Sequence, residues 1–286
     1  ATVGTENLTP DSIAQMMVGR ELSNLYPPKH EPDVDTDVVL SVRGLSAPGI
    51  SDISFELRRG EILGFAGLIG SGRTAVAEAI AGLTAKTGGE VTVNGAPADY
   101  SDVSKSVAAG LAYMTKDRKG RGLLLNAGLQ PNLTLLTLKK HLKMGFLDGR
   151  SEAQALDRAV RRFDIRARDP SVQVGKLSGG NQQKLMLGKT MESDPEIVIM
   201  DEPTRGIDVG TKQQIYHIIA ALAAEGKAII VISSEMQEVI GLSHRVVVMR
   251  QGRMAGVLEG AEITEAEIMR YAAGIKQGGE NERLSA

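Results

Sequence analysis

GFAGLIGSGRT, Gly64 to Thr74, is the stretch that decides the fold, and its centre is GLIGSGRT, from Gly67 to Thr74. An apolar run from Ile62 to Ala66 precedes that centre and reads as a buried strand. An Ala-rich run from Thr74 to Gly82 follows and reads as a helix closed by glycine. A strand, a glycine-dense turn and a helix N-terminus make a phosphate cradle. Glycine lets the backbone wrap an anion closely, and unpaired helix N–H groups point at it. The spacing fits G-x4-G-K-[ST], except that Arg73 stands in the lysine position. A tight strand-to-helix turn with no ligand would leave the same trace, so the reading needs support from elsewhere in the chain.

Composition narrows the classes. At 286 residues the chain has length for about two lobes at ~150 residues per domain. Its 42% hydrophobic and 24% charged residues are an ordinary globular balance. A net charge of −2 and the lack of a basic stripe argue against a nucleic-acid partner. Without cysteine there is neither a disulfide framework nor a thiolate metal site. Apolar runs such as Ala228 to Ile232 have strand length, far short of the ~20 residues of a membrane span. The start at Ala1, without methionine, is read as the mark of a fragment.

Residues 1–37 read as a tail and linker. Leu8 to Gly19 has a helical pattern with Thr9 as N-cap and Pro10 in the first turn, and Tyr26 to Asp37 is a proline- and acid-rich extended linker. Ile263 to Gly274 repeats the first of these at a constant offset, with Thr9 matching Thr264, Ile13 matching Ile268 and Gly19 matching Gly274. Two amphipathic helices could match so by chance. The alternative is that the native polypeptide holds two tandem copies and this chain is the second.

From Val38 the pattern is strand-like through Arg58, with further strands at Gly88–Gly95 and Gly110–Met114. A basic loop, TKDRKGRG, leads into a helical middle region of roughly 118–175, where Ser151 and Gln154 have capping-box spacing. Strand Glu196–Met200, helix Thr211–Ala224, strand Ala228–Ser233 and strand Arg245–Met249 then alternate. Such alternation predicts an α/β fold on a mostly parallel sheet, with ligands at the strands' C-terminal ends. Asp201 and Glu202 follow the IVIM strand at such a position. An Asp there can hold magnesium, and the adjacent Glu can polarise a water. KLSGGNQQK, Lys176 to Lys184, opens a second helix on Ser178, Gly179 and Gly180 and includes Gln182.

The phosphate loop, the SGGNQQ turn and the IVIMDEPT run together resemble the ATP-binding cassette ATPases over about Val38 to Gly274. The DEPTRGIDVG, ISSEMQEV and YMTKDRKGRGL stretches are similar to the second cassette of ribose/galactose/xylose-type sugar importers, which carry two cassettes in one polypeptide. The resemblance implies a P-loop cassette fold with an antiparallel β portion and an inserted helical subdomain at about 118–193, inside a cassette at 38–274 with a tail at 275–286. It implies ATP and Mg2+ as cofactors. The implied partners are a first cassette, transmembrane permease subunits and, indirectly, an extracytoplasmic sugar-binding protein, and the implied place is the cytoplasmic face of a bacterial inner membrane. Gly67, Gly70, Ser71, Gly72, Arg73 and Thr74 would line the phosphates, with Thr74 and Asp201 on the metal and Glu202 as general base. Ser178, Gly179 and Gly180 would meet the γ-phosphate of a partner's ATP, and Asp208 would lie in the loop that crosses the dimer.

Four positions depart from that pattern. Arg73 replaces the phosphate lysine, and its planar fork is not a point charge. Ala75 removes a hydroxyl, Lys116 stands where a glutamine approaches magnesium, and Ser234 replaces a histidine. His30, His141, His217 and His244 read as surface or internally satisfied. No aromatic near Leu45 to Ile50 offers adenine a stacking face, an interaction of about 1–3 kcal/mol. The expectation is a weak site on this chain's own loop and little turnover by the chain alone. A regulatory module that binds nucleotide without hydrolysis is the alternative. A cassette acting on ribosomes or DNA is disfavoured by the charge.

Overall fold

The computed structural model describes residues 25–30, 36–98, 102–167 and 169–276. The first strands are β1 (Val38–Ala47) and β2 (Ile50–Arg58), an antiparallel pair whose register is broken by bulges. β3 (Ile62–Gly67) feeds the glycine turn and α1 (Arg73–Ile80). β4 (Gly88–Val93) and β5 (Ala96–Pro97) return beside β1, giving a four-stranded antiparallel sheet in the order β2-β1-β4-β5. After α2 (Val103–Ala108), β6 (Leu111–Met114) enters the main sheet.

The helical region follows, with α3 (Leu129–Thr134), a hairpin of β7 (Leu142–Lys143) and β8 (Phe146–Leu147), α4 (Gly149–Phe163) and α5 (Gly179–Met191). The remainder is β9 (Ile197–Asp201), α6 (Val209–Ala224), β10 (Ala228–Ile232), α7 (Met236–Leu242), β11 (Arg245–Arg250), β12 (Arg253–Glu259) and α8 (Glu265–Ala273). Among the described residues the main sheet runs β12-β11-β3-β10-β9-β6, all parallel except β12.

The central strands are continuous apolar runs because both of their faces are covered. Along β9, Ile197 and Ile199 enter the core shared with the antiparallel sheet, while Val198 and Met200 face the core shared with α5 and α6. Phe55 and Phe65 lock the two sheets together edge to face, with centroids 5.2 Å apart. Gly64 leaves room for α7, since a Cβ there would collide with Val239 and Ser243. Among the described residues no helix is long and apolar enough to cross a membrane.

Several local expectations shift. The cap of α4 is Asp148, whose side chain accepts from Arg150 N at 3.0 Å; Ser151 lies inside the helix and its hydroxyl meets His141 Nδ1 at 2.8 Å. The expected capping box fails because Asp148, directly after β8, already caps the helix two residues before Arg150. Tyr26 stacks on Tyr216 at 4.9 Å, Lys29 Nζ donates to Ser243 O at 2.6 Å, and His30 O accepts from His244 Nε2 at 2.8 Å. The part of the linker segment from residue 26 to residue 30 is docked to the body, and residues 31–35 lie outside the described residues. α7 and β12 were not foreseen. The first-copy helix expected at Leu8 to Gly19 lies outside the described residues.

Candidate nucleotide site

Three strand ends converge on the glycine turn after β3. The turn takes left-handed backbone at Gly67 (φ 146°), Gly70 (φ 81°) and Gly72 (φ 103°), where a side chain would be strained. At Gly67 a Cβ would also sit 2.7 Å from Ser71 Oγ, and Ser71 Oγ is itself buried with no hydrogen-bond partner. Thr74 stands in the first turn of α1, where the resemblance puts a phosphate and its counter-ion.

β9 runs between β6 and β10, so its C-terminal residues are flanked from both sides. Asp201 is 1% exposed. Its Oδ2 accepts from the Tyr113 hydroxyl at 3.1 Å and its Oδ1 has no partner. Burial raises the Asp201 pKa; the Thr74 hydroxyl, the Lys116 charge and Tyr113 oppose that rise, and Glu202 adds to it. Glu202 holds a left-handed conformation (φ 54°), a strain tolerated where the surroundings fix the chain. Its N–H donates to Ile232 O at 2.7 Å and its Oε2 accepts from Ser234 Oγ at 3.0 Å. Arg73 donates to the carbonyl of Ser233. Burial lowers its pKa, while Glu202 and Asp201 hold it up. The structure therefore brings Arg73, Thr74, Lys116, Asp201, Glu202 and Ser234 together.

The metal expectation meets an obstacle. A buried carboxylate oxygen without a partner suits a cation, and so does a helix-start hydroxyl. Yet Lys116 Nζ already lies 3.1 Å from Thr74 Oγ1. As arranged, these residues do not fit magnesium, because an ammonium is bound to one of the two intended ligands.

The second glycine turn is separate. Ser178 is exposed and caps α5, its Oγ accepting from Asn181 N at 3.4 Å and Asn181 Nδ2 at 3.0 Å. A cavity of about 450 Å³ opens there, lined by Arg166, Ser178, Gly180, Asn181 and Asp208 among others. Gly180 and Thr211 meet closely, and Asp208 caps α6 through Thr211 N at 2.9 Å and Thr211 Oγ1 at 2.7 Å. Among the described residues no hydrogen bond or ion pair joins Ser178 to Gly180 with the phosphate loop. Gln182, a candidate nucleotide-contact residue by the resemblance, points inward. Only 5% exposed, it donates to Val174 O and Leu177 O and accepts from Arg118 Nε at 3.2 Å, so it props the turn from inside.

Arg118, Gln183 and Glu238 were missed by the sequence reading. Arg118 Nη1 donates to Gln183 Oε1 at 3.1 Å, and Gln183 Nε2 donates to Pro203 O at 2.6 Å, which connects the basic loop, α5 and the turn after Glu202. Glu238 accepts from Thr204 Oγ1 at 3.1 Å and Ser233 Oγ at 2.5 Å, clamping the turns after β9 and β10. Burial pushes Glu238 up to about 7 from an ordinary 4.5, the two hydroxyls pull it down, and Glu235 and Glu202 add to the rise. The folded chain therefore holds this proton more tightly than the unfolded chain does. Its stabilising effect is complete below pH 4.5 and is lost as pH rises through 7. Urea unfolding across that window is expected to lose about 3 kcal/mol from this group, and Glu238→Gln to remove that part of the slope.

The arrangement defines a P-loop nucleotide-binding fold with α/β architecture. Solved structures agree on the fold: a nucleotide-free ATP-binding cassette from an ABC transporter has TM-score 0.72 at 16% identity, covering 82% of this chain and 96% of that one. A dimeric ATP-binding cassette in a post-hydrolysis state with ADP and Pi has TM-score 0.68 at 18% identity, covering 77% and 98%. The family description "ABC transporter" matches residues 50–205, and the chain belongs to that family. It is 45% identical over 277 residues to "Ribose import ATP-binding protein RbsA 2" of Rhizobium meliloti, covering 96% of this chain and 54% of that protein. It is 44% identical to a "Putative ribose/galactose/methyl galactoside import ATP-binding protein" of Geobacillus kaustophilus, with the same coverage. The chain thus spans about half the length of the curated relatives it matches.

Proposed function

We propose that this chain is the second ATP-binding cassette of a sugar importer, an ATPase that acts only as part of a pair. The observation that carries the reading is the Ser178–Gly180 turn, exposed at Ser178 beside the cavity it lines and unattached to the chain's own phosphate loop. A turn of that kind suits an anion brought by another molecule. The half-length match to ribose import relatives supports a second cassette in the same polypeptide. In this reading residues 1–37 are the end of a preceding cassette and a linker, residues 38–274 the cassette with its helical part at about 118–193, and residues 275–286 a tail. Permease subunits and a sugar-binding protein complete the importer, and the chain sits on the cytoplasmic face of the inner membrane.

Two unequal ATP sites result. On this chain's loop, backbone N–H groups from Gly67 to Thr74 and the Arg73 guanidinium receive the phosphates, and Glu202, steadied by Ser234, takes the proton of the attacking water. For Arg73 to meet a phosphate it leaves the Ser233 carbonyl. At the opposite site this chain supplies Ser178, Gly179 and Gly180 to a nucleotide held by the first cassette, with Asp208 beside them. Magnesium is expected with the partner-held nucleotide and is not assigned to Thr74 and Asp201.

The isolated chain is expected to turn over ATP at least about tenfold more slowly than the assembled pair. Equal rates would defeat the reading. Arg73, Lys116 and Ser234 favour a second reading, a regulatory module that binds nucleotide without cleaving it. Single-turnover hydrolysis at this loop in the assembled pair separates the two: an enzyme loses about tenfold or more with Glu202→Gln, whereas a sensor shows no hydrolysis to lose.

A further inference from the structure

The main sheet places a lysine beside the carboxylate expected to hold a metal. β6 and β9 are parallel neighbours with Met114 opposite Met200, so Lys116 and Glu202 each lie two residues beyond the paired positions. From there Lys116 Nζ reaches Thr74 Oγ1 at 3.1 Å, and its positive charge acts on the buried Asp201 carboxylate. One ammonium thus bonds to one of the two side chains that the resemblance assigns to magnesium and acts on the other through its charge.

Charge makes the same point. Asp201 and Glu202 carry two negative charges, and Arg73 and Lys116 carry two positive ones, so the group is balanced before any ligand arrives. Lys116 thus supplies at this loop a positive charge beyond that of Arg73. Magnesium also demands near-ideal octahedral oxygen ligands at about 2.0–2.1 Å, and an ammonium 3.1 Å from Thr74 Oγ1 repels a divalent cation from that oxygen.

We infer that Lys116 substitutes for the divalent metal at this chain's phosphate loop, so that a nucleoside triphosphate binds there without magnesium. The inference rests on the nucleotide-site reading above. Lys116 is exposed, so its replacement does not disturb the core. Two of the three ammonium donors are left for phosphate oxygens once Thr74 is satisfied.

The test is a fluorescence titration of the 286-residue chain with N-methylanthraniloyl-ATP, in excess magnesium and in excess EDTA. Wild type is expected to show dissociation constants within about threefold of each other. Lys116→Gln, which restores the residue type of the family pattern, is expected to lose about tenfold or more of its affinity in EDTA. A wild-type loss above about threefold in EDTA overturns the inference while leaving the nucleotide site intact. A Lys116→Gln chain as indifferent to EDTA as wild type also overturns it. No saturable signal under either condition removes the nucleotide-site reading, and the inference goes with it.

Discussion

Arg245→Met is expected to destabilise the fold by about 3–5 kcal/mol, the usual cost of removing one partner from a buried ion pair. Arg245 opens β11 and Glu61 immediately precedes β3, so the pair joins two parallel strands at the sheet end opposite the phosphate loop. Their side chains are 13% and 3% exposed. The contact is bidentate, Nε to Oε1 at 2.6 Å and Nη2 to Oε2 at 3.1 Å. Nη2 also donates to Glu56 O at 2.7 Å, and Glu61 Oε2 accepts from Arg58 N at 2.9 Å. Every oxygen of Glu61 is therefore committed, and deleting the guanidinium strands a buried carboxylate. For a chain of this size the thermal midpoint should fall by about 10 °C. The double variant Glu61→Gln, Arg245→Met should recover about half of the loss, because the stranded charge is gone. A drop under about 1 kcal/mol would mean that water reaches the pair and that this end of the sheet is open.

What could be read in advance was whatever is written locally in the chain. The phosphate loop shows because Gly67, Gly70 and Gly72 each hold a backbone angle that other residues resist. β9 and β10 show as unbroken apolar runs because both of their faces are buried. Ser178 and Asp208 show because a helix start needs a short polar cap. The unread part consists of partners far apart in sequence. Arg118 looks like one more cation in a basic loop, and nothing beside it announces Gln182, Gln183 or Arg205 O as its acceptors. Glu238 sits in a helix whose pattern suggests a solvent face, yet the turns after β9 and β10 close over it. Tyr26 reads as linker because the surface it covers, Gly241 and Tyr216, lies roughly two hundred residues away.

The second large effect concerns the junction of α5 and α6. Gly180→Ala in the assembled pair is expected to cut ATP turnover by about a hundredfold, since a misplacement near 1 Å can cost that much. Two effects compete at this position. Gly180 lies inside the first turn of α5, where alanine is the better helix former by about 1 kcal/mol. Against that, the new Cβ would fall 2.7 Å from Thr211 Cγ2 and 2.8 Å from Thr211 Oγ1. Thr211 cannot swing aside cheaply, because Asp208 holds both its N–H and its hydroxyl. Overpacking of this kind costs about 1–3 kcal/mol, so the clash outweighs the propensity gain and the two helix starts separate. Ser178 and Asp208 then both shift, although neither is mutated. Removing the obstacle distinguishes this account from simple loss of a glycine: Gly180→Ala, Thr211→Ala should regain about tenfold in turnover over Gly180→Ala alone. If the double variant is no faster, the close approach of α5 and α6 does not set the geometry of the Ser178 turn. Unaltered turnover in Gly180→Ala would go further and remove the Ser178 turn from the nucleotide chemistry altogether.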